Sequence, residues 1–364
     1  LALFCLRLLD VVQDPLLGRL SAALSCGRRG ILCAAAVVLS SAMIGLFAIE
    51  PPFAPLLWFV LMLTLVFSTF SFLTINFYAQ GVAKAERMGP AGHLRLARWR
   101  ETGGLIGICV ASAVPAVFAT ISAVPFALFA GLFSALTCGA ALAMAGEWDR
   151  DMVRHPQGFL QVLQDRAARQ ILLIGLVNAA PVAVTSTLFL FFVESRLAAP
   201  DAAGPLLLLF FLSAALAAPI WTFLAERFAF KKVLLAAMGL AVFSFSLVLV
   251  LASGNVIGFG FICVLSGAAV GADMTLIPAV FAQRLARIGA STTDGFGLWS
   301  FVSKFSLAFA AVIILPSLEF AGFQAGQENS AAALSVLTLI YALVPCGLKL
   351  IAIAVLQRTE LHEY

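Results

Sequence analysis

Residues 7–29 read RLLDVVQDPLLGRLSAALSCGRR, and the charge pattern of this stretch decides what kind of protein the chain forms. Arg7, Asp10 and Asp14 recur at i, i+3 and i+7, so on an α-helix the three side chains leave from one face. That face carries charge inside an otherwise apolar helix. If the helix ends near Ala22, before Arg28 and Arg29, half of a hydrocarbon core about 30 Å thick corresponds to about ten residues, and Asp10 and Asp14 straddle its centre. Two carboxylates one turn apart in a low dielectric do not both hold their charge unaided, because desolvation and mutual repulsion each oppose ionisation. A proton or a bound cation supplies that help, with Arg7 beside it. A structural ion pair between Arg7 and one aspartate would account for one acid. The second acid favours an ion or proton site. Pro15 is compatible with this helix where neighbouring helices or a bound ion satisfy the carbonyl it frees.

The composition agrees with a membrane setting. Of 364 residues 62% are hydrophobic and 11% charged, and the mean hydropathy is +1.07, values outside the range of soluble domains. No signal peptide is visible, and the first residue, Leu1, falls within an apolar run. The net charge of +4 is less informative than its distribution. Among the 22 Lys and Arg, Arg7, Lys304 and Lys349 lie inside apolar spans and only Arg196 lies in one set of loops. The remainder fall in the alternate connections or at the helix ends beside them, and the positive-inside rule assigns those connections to the cytoplasm. Nucleic acid is not needed to explain the basic charge.

Enzyme signatures are missing. Cys5, Cys26, Cys33, Cys109, Cys138, Cys263 and Cys346 show no CxxC spacing and read as small packing residues. His93, His155 and His362 stand singly in polar segments, and no HExxH, GxSxG or P-loop sequence occurs. No cofactor and no metal beyond a coupling Na⁺ is expected.

Eleven spans are expected, at about 1–22, 30–49, 53–80, 98–120, 122–146, 169–194, 204–226, 232–252, 256–284, 294–320 and 331–357. The block at 99–146 is too long for one helix and divides near Ala119–Pro125. The longest polar connection, GEWDRDMVRHPQGFLQVLQDRAARQ at 146–170, separates five spans from six and reads first as a solvated bridge, with an amphipathic cytoplasmic helix over part of it as the alternative. The expected organisation is an N-terminal bundle (1–146), a cytoplasmic linker (147–168) and a C-terminal six-helix bundle (169–364). A faint repeat supports two related halves. Pro15 precedes the basic pair Arg28–Arg29, and Pro219 in APIWTFLAERFAFKK precedes Lys231–Lys232. Transporters that rock two similar bundles show such repeats. Symmetry then calls for twelve helices, with the first missing from the N-terminus. The spacings Gly103…Gly107 and Gly267…Gly271 read as close helix contacts. Trp58, Trp148 and Trp221 read as interfacial anchors or core residues.

Further charges at membrane depth are Asp273, Lys304 and Lys349. Lys304, near the midplane, needs a carboxylate partner. Asp10 or Asp14 would make the charge of the cavity depend on cation occupancy; Asp273 or backbone carbonyls are the structural alternative. Lys349 either snorkels or braces helix packing.

The string RLLDVVQDPLLG followed by CGRR, together with PIWTFLAERFAFKK, GAAVGAD, the FVSK helix and YALVPCGLKL, resembles the glycoside–pentoside–hexuronide:cation symporters, the melibiose-carrier branch of the major facilitator superfamily. The resemblance implies an all-α membrane protein with the major-facilitator fold of two pseudo-symmetric bundles. It implies cation-site roles for Asp10, Asp14, Gln13 and Ser71, coupling roles for Arg7 and Lys304, and a substrate contact at Arg98. Oxygen ligands of this kind suit Na⁺, or a proton in its place. Thr74 stands where that carrier has a sugar-binding aspartate, and Trp299 replaces a polar residue. Ala22 replaces the acid usual before the basic hairpin. With Tyr78, Thr74 and Trp299 complete the expected substrate set.

The expected function is cation-coupled symport of a sugar or glycoside in the cell (inner) membrane, by a monomer whose basic loops, linker and C-terminus are cytoplasmic. Two alternatives are a carrier of a lipid-like or amphipathic solute, given Trp299, Thr74 and 32 Phe, and a non-transporting scaffold or sensor.

Overall fold

A chain this apolar must satisfy its backbone polar groups internally once in lipid, and helices do so within each segment. A computed structural model describes residues 2–24, 28–89, 91–148, 158–327 and 329–359. Cys26, His155 and His362 lie outside the described residues, as do the side chains of Cys5 and Arg7. The described residues form twelve α-helices and no strand: α1 (Ala2–Ala23), α2 (Arg28–Phe47), α3 (Pro55–Arg87), α4 (Gly92–Ala119), α5 (Pro125–Ala143), α6 (Gly158–Gln164), α7 (Arg166–Phe191), α8 (Ala203–Arg227), α9 (Phe230–Ser246), α10 (Val256–Ile288), α11 (Thr292–Phe320) and α12 (Ala331–Arg358).

Ten of them, α2–α5 and α7–α12, are long and apolar enough to cross a membrane. Helix α1 stands apart because Arg7, Asp10, Asp14 and Arg19 all fall within its 22 residues. The long apolar block divides where expected: α4 ends at Ala119 and α5 starts with Pro125 at a position that needs no N–H donor. Helix α3 runs to Arg87, past the expected end at residue 80, and Lys84 in that extra length pairs with Glu147 at 2.7 Å. Over its described part the linker takes the helical alternative. There α6 forms a seven-residue helix, and Asp165 beyond it takes both Nε and Nη2 of Arg284, at 2.9 and 2.6 Å. Such a two-pronged pair fixes orientation as well as charge.

By proximity the chain divides into two units. The first comprises Leu1–Arg87, Val110–Asp165 and Ala282–Lys304; the second comprises Met88–Cys109, Arg166–Phe281 and Phe305–Tyr364. In the first, α2 packs on α3 and α5, and α1 packs on α3. Trp58 of α3 donates its indole N–H to the Gly45 carbonyl of α2 at 2.8 Å.

The second unit holds an aromatic core. Phe192 stacks on Tyr341 and Phe259 with ring centroids 4.5 and 5.0 Å away, contacts worth about 0.5–1.5 kcal/mol each beyond the area they cover. In lipid, helices gain most from close fit, which small residues permit. A Cβ on Gly271 would meet the Ala214 carbonyl oxygen at 2.6 Å, and one on Gly267 would strike the Phe210 carbonyl. The α8–α10 contact therefore rests on these two glycines. Gly103 and Gly107 meet nothing comparable, so the close approach expected of them does not appear among the described residues. Gly271→Val should force α8 and α10 apart and cost about 1–3 kcal/mol, read as a lowered thermal midpoint in detergent, whereas Gly239→Ala, with open space around it, should leave the midpoint unchanged.

Candidate functional site

Helical spacing gathers the polar groups of the first unit. One turn of α1 carries Asp10, Gln13 and Asp14; one turn of α3 carries Ser68 and Ser71; one turn of α11 carries Ser300 and Lys304. Lys304 Nζ donates to Asp10 Oδ1 at 2.7 Å, to Asp14 Oδ1 at 3.1 Å and to Ser71 Oγ at 2.5 Å. It also lies 2.9 Å from Asp14 Oδ2. The Ser71 hydroxyl donates onward to Asp10 Oδ1 at 3.3 Å. Gln13 Nε2 donates to the same oxygen at 3.1 Å, while its Oε1 accepts from Ser68 Oγ at 2.7 Å. Ser300 Oγ donates to Asp14 Oδ2 at 2.5 Å.

Asp14 is fully buried and Asp10 and Ser71 nearly so, while the Lys304 side chain keeps 23% of its surface accessible. The acids are thus enclosed and their cationic partner is the group that reaches solvent-accessible space.

Backbone shape brings α1 and α11 this close. A Cβ on Gly297 would sit 2.9 Å from the Asp14 carbonyl oxygen, and one on Gly18 would sit 2.7 Å from the Thr293 carbonyl oxygen. Only glycine at both positions lets the two backbones touch. Asp14 is therefore held against Ser300 and Lys304 by the helix crossing itself.

The expected substrate residues fare unevenly. Thr74 is half-buried on α3, one turn beyond Ser71, and Tyr78 one turn further packs against Phe296 of α11 with ring centroids 5.1 Å apart. Trp299 is half-buried beside Ser300, and its carbonyl accepts from Ser303 Oγ at 3.0 Å. Arg98 belongs to the second unit, where its guanidinium lies over the ring of its own neighbour Trp99 at 5.9 Å.

The structural alternative for Lys304, a pair with Asp273, does not form. Asp273 Oδ2 instead accepts from Lys349 Nζ at 2.5 Å. Lys349 has 1% of its side-chain surface exposed, so it braces helices and does not snorkel. Three participants escaped the sequence reading. Ser68 and Ser300 lie at i−3 from Ser71 and i−4 from Lys304, spacings that mark them as neighbours of the site. Asn76 accepts from Ser21 at 2.6 Å and from Arg28 Nη2 at 2.7 Å, giving the basic hairpin an acceptor where Ala22 supplies none.

Removing one partner of a buried ion pair costs more than removing both, because the survivor stays buried and uncompensated. Lys304→Met should therefore destabilise the protein by about 3–5 kcal/mol. Adding Asp10→Asn to that variant should recover a measurable part of the loss, the two substitutions together lowering the thermal midpoint less than their separate effects predict.

The chain matches the family of MFS/sugar transport proteins over residues 1–363. No curated protein sequence matches it. Among solved structures it resembles a bacterial homologue of the iron transporter ferroportin in the outward-facing state, with 12% identity, a TM-score of 0.71, and 98% of this chain and 89% of that one covered. It also resembles the human organic anion transporter MFSD10 at 15% identity and TM-score 0.63, covering 97% and 82% of the two chains. The E. coli fucose:proton symporter FucP is similar at 15% identity and TM-score 0.60, covering 98% and 96%.

Proposed function

The chain belongs to the MFS/sugar transport protein family and is a multi-pass membrane transporter, and we propose that it is a secondary active symporter of the melibiose-carrier branch, coupling Na⁺ or H⁺ to uptake of a sugar or glycoside. The observation that carries this reading is the bonding of one ammonium, Lys304, to both Asp10 and Asp14. Among the described side chains of that cluster, two carboxylates face a single cation, one positive charge short of neutrality. We assign a proton or a Na⁺ to the carboxylate oxygens beside Lys304, with Arg7, one turn before Asp10 on α1, in the coupling role that the resemblance implies.

The coupling follows from competition for oxygens. An arriving cation must share the carboxylates and the Ser71 hydroxyl with the Lys304 ammonium, so its binding loosens the bonds that hold α11 to α1 and α3. Release of the cation restores them. A solute that binds better to the loosened arrangement tightens cation binding in return, as linkage requires. The two sequence halves, 1–146 and 169–364 joined by the linker 147–168, are the bodies that alternate. One charge moving down about 100 mV supplies about 2.3 kcal/mol, or about fifty-fold accumulation before any ion gradient is counted.

The family supports the sugar or glycoside, and Thr74 and Tyr78, on the face of α3 that carries Ser71, and Trp299, next to Ser300 in α11, are the residues assigned to bind it; the resemblance adds Arg98 of α4. Asp14→Cys should abolish cation-stimulated uptake in proteoliposomes while the protein still inserts and purifies; unchanged Na⁺ and H⁺ dependence in that variant would remove the coupling assignment. Arg98→Ala should raise the solute concentration needed for half-maximal uptake about tenfold with little change in thermal midpoint, and an unaltered solute dependence would strike Arg98 from the site.

A further inference from the structure

Helix α6 and the residue after it are fastened within the first unit through Phe159, Gln161 and Asp165, outside the cation cluster. The Arg19 guanidinium of α1 lies over the Phe159 ring, 5.4 Å from its centroid. Gln161 Nε2 donates at 3.2 Å to the carbonyl of Ile288, the last residue of α10, where the helix supplies no partner of its own. Asp165 takes both prongs of Arg284, and these two side chains are 19% and 21% exposed. Seven residues are too few to hold a helix in isolation. Helix α6 is therefore helical because it is docked.

Its dock is mechanically joined to the start of α11. Residues 289–291 alone connect α10 to α11. The Ala290 N–H donates back to the Leu285 carbonyl at 3.1 Å, and Ser291 accepts from the N–H groups of Asp294 and Gly295 at 3.3 and 3.0 Å. A turn so short and so bonded carries the first turn of α11 with the last turn of α10. That first turn is where α1 crosses, the Thr293 carbonyl lying against Gly18, the residue before Arg19. Through Arg19 on one side and Arg284 and Ile288 on the other, α6 grips both partners of the crossing.

We infer that α6 with Asp165 is an autoinhibitory clasp on the cation site: docked, it holds α11 to α1 and opposes cation binding. The inference rests on the proposed role of Asp10 and Asp14. There an arriving cation loosens the Lys304 bonds that tie α11 to α1, and the clasp resists the same loosening. Two processes opposed through one equilibrium are linked in both directions. Freeing α6 tightens cation binding, and cation binding frees α6. One partly exposed ion pair, one amide hydrogen bond and one cation–π contact are each worth little, as suits a contact that opens and closes. Release leaves α6 tethered, because Glu147 at the start of the linker is held on α3 by Lys84 at 2.7 Å and, through its carbonyl, by Gln80 at 2.7 Å. A tethered segment returns to its dock at high effective concentration.

Hydrogen–deuterium exchange of the purified full chain reads the clasp, because opening exposes the α6 amides. Without Na⁺, residues 158–165 should be protected. Asp165→Asn and Arg284→Gln should each speed their exchange about fivefold, and Asp165→Arg combined with Arg284→Asp should restore most of the protection. Na⁺ in place of choline, or Asp14→Asn as the stand-in for a protonated acid, should also speed it about fivefold, with exchange in α12 unchanged. If Asp14→Asn does not fold, Asp10→Asn serves in its place. An α6 unprotected in the wild type, exchange that neither Na⁺ nor the neutralised acid alters, or a Na⁺ response that persists in Asp14→Asn overturns the proposal. Loss of cation-stimulated uptake in Asp14→Cys beside an unresponsive α6 leaves the cation site standing and removes the clasp alone.

Discussion

The polar cluster of the first unit turns on a lysine that has two acids to serve. Lys304 sits at 2.7 Å from Asp10 and 2.9 Å from Asp14, and in helices this apolar neither acid is tolerable without it. The pairing explains why α1 carries four charged residues and still packs on α3. It explains the serines as well. Ser71 and Ser300 supply donors to oxygens that the ammonium cannot fully satisfy, and Gln13 links Asp10 to Ser68. Remove the lysine and each of these bonds loses its reason.

The two buried clusters differ in a way that bears on their roles. Around Lys304 two carboxylates share one cation, and the cation keeps part of its surface accessible. Around Lys349 one carboxylate meets one cation, with a neutral amide as third partner and almost no exposure. The first keeps a charged group in contact with accessible space. The second is enclosed, with one carboxylate oxygen, Asp273 Oδ1, that has no hydrogen-bond partner among the described residues.

Much of this was legible from residues alone, and the reasons are physical. Hydrophobic runs of membrane-spanning length are forced to be helical, so the ten long apolar helices and the break before Pro125 could be read directly. Asp10 and Asp14 stood out because charge is rare at that depth. Partner choice was harder to read: Lys304 and Lys349 are both isolated lysines in apolar helices, and only the packing of α10 against α7 and α12 tells which one Asp273 serves. The hydroxyls of Ser68 and Ser300 were missed because serine in a helix interior ordinarily bonds to its own backbone, as Ser266 does with Ile262, and a string of letters does not reveal the exceptions. Glycine spacings misled for a related reason. Gly103…Gly107 and Gly267…Gly271 look alike as patterns, but only the second pair has a neighbouring backbone laid across it.

The crossing of α1 and α11 at Gly18 and Gly297 has a consequence for motion. Two main chains in direct contact have no side chain between them to deform, so sliding one past the other meets a hard wall while rotation about the contact meets little resistance. The crossing acts as a fulcrum, with the carboxylates and the ammonium set within one or two turns of it. A change of grip at that contact therefore favours turning of the two crossed segments over sliding between them.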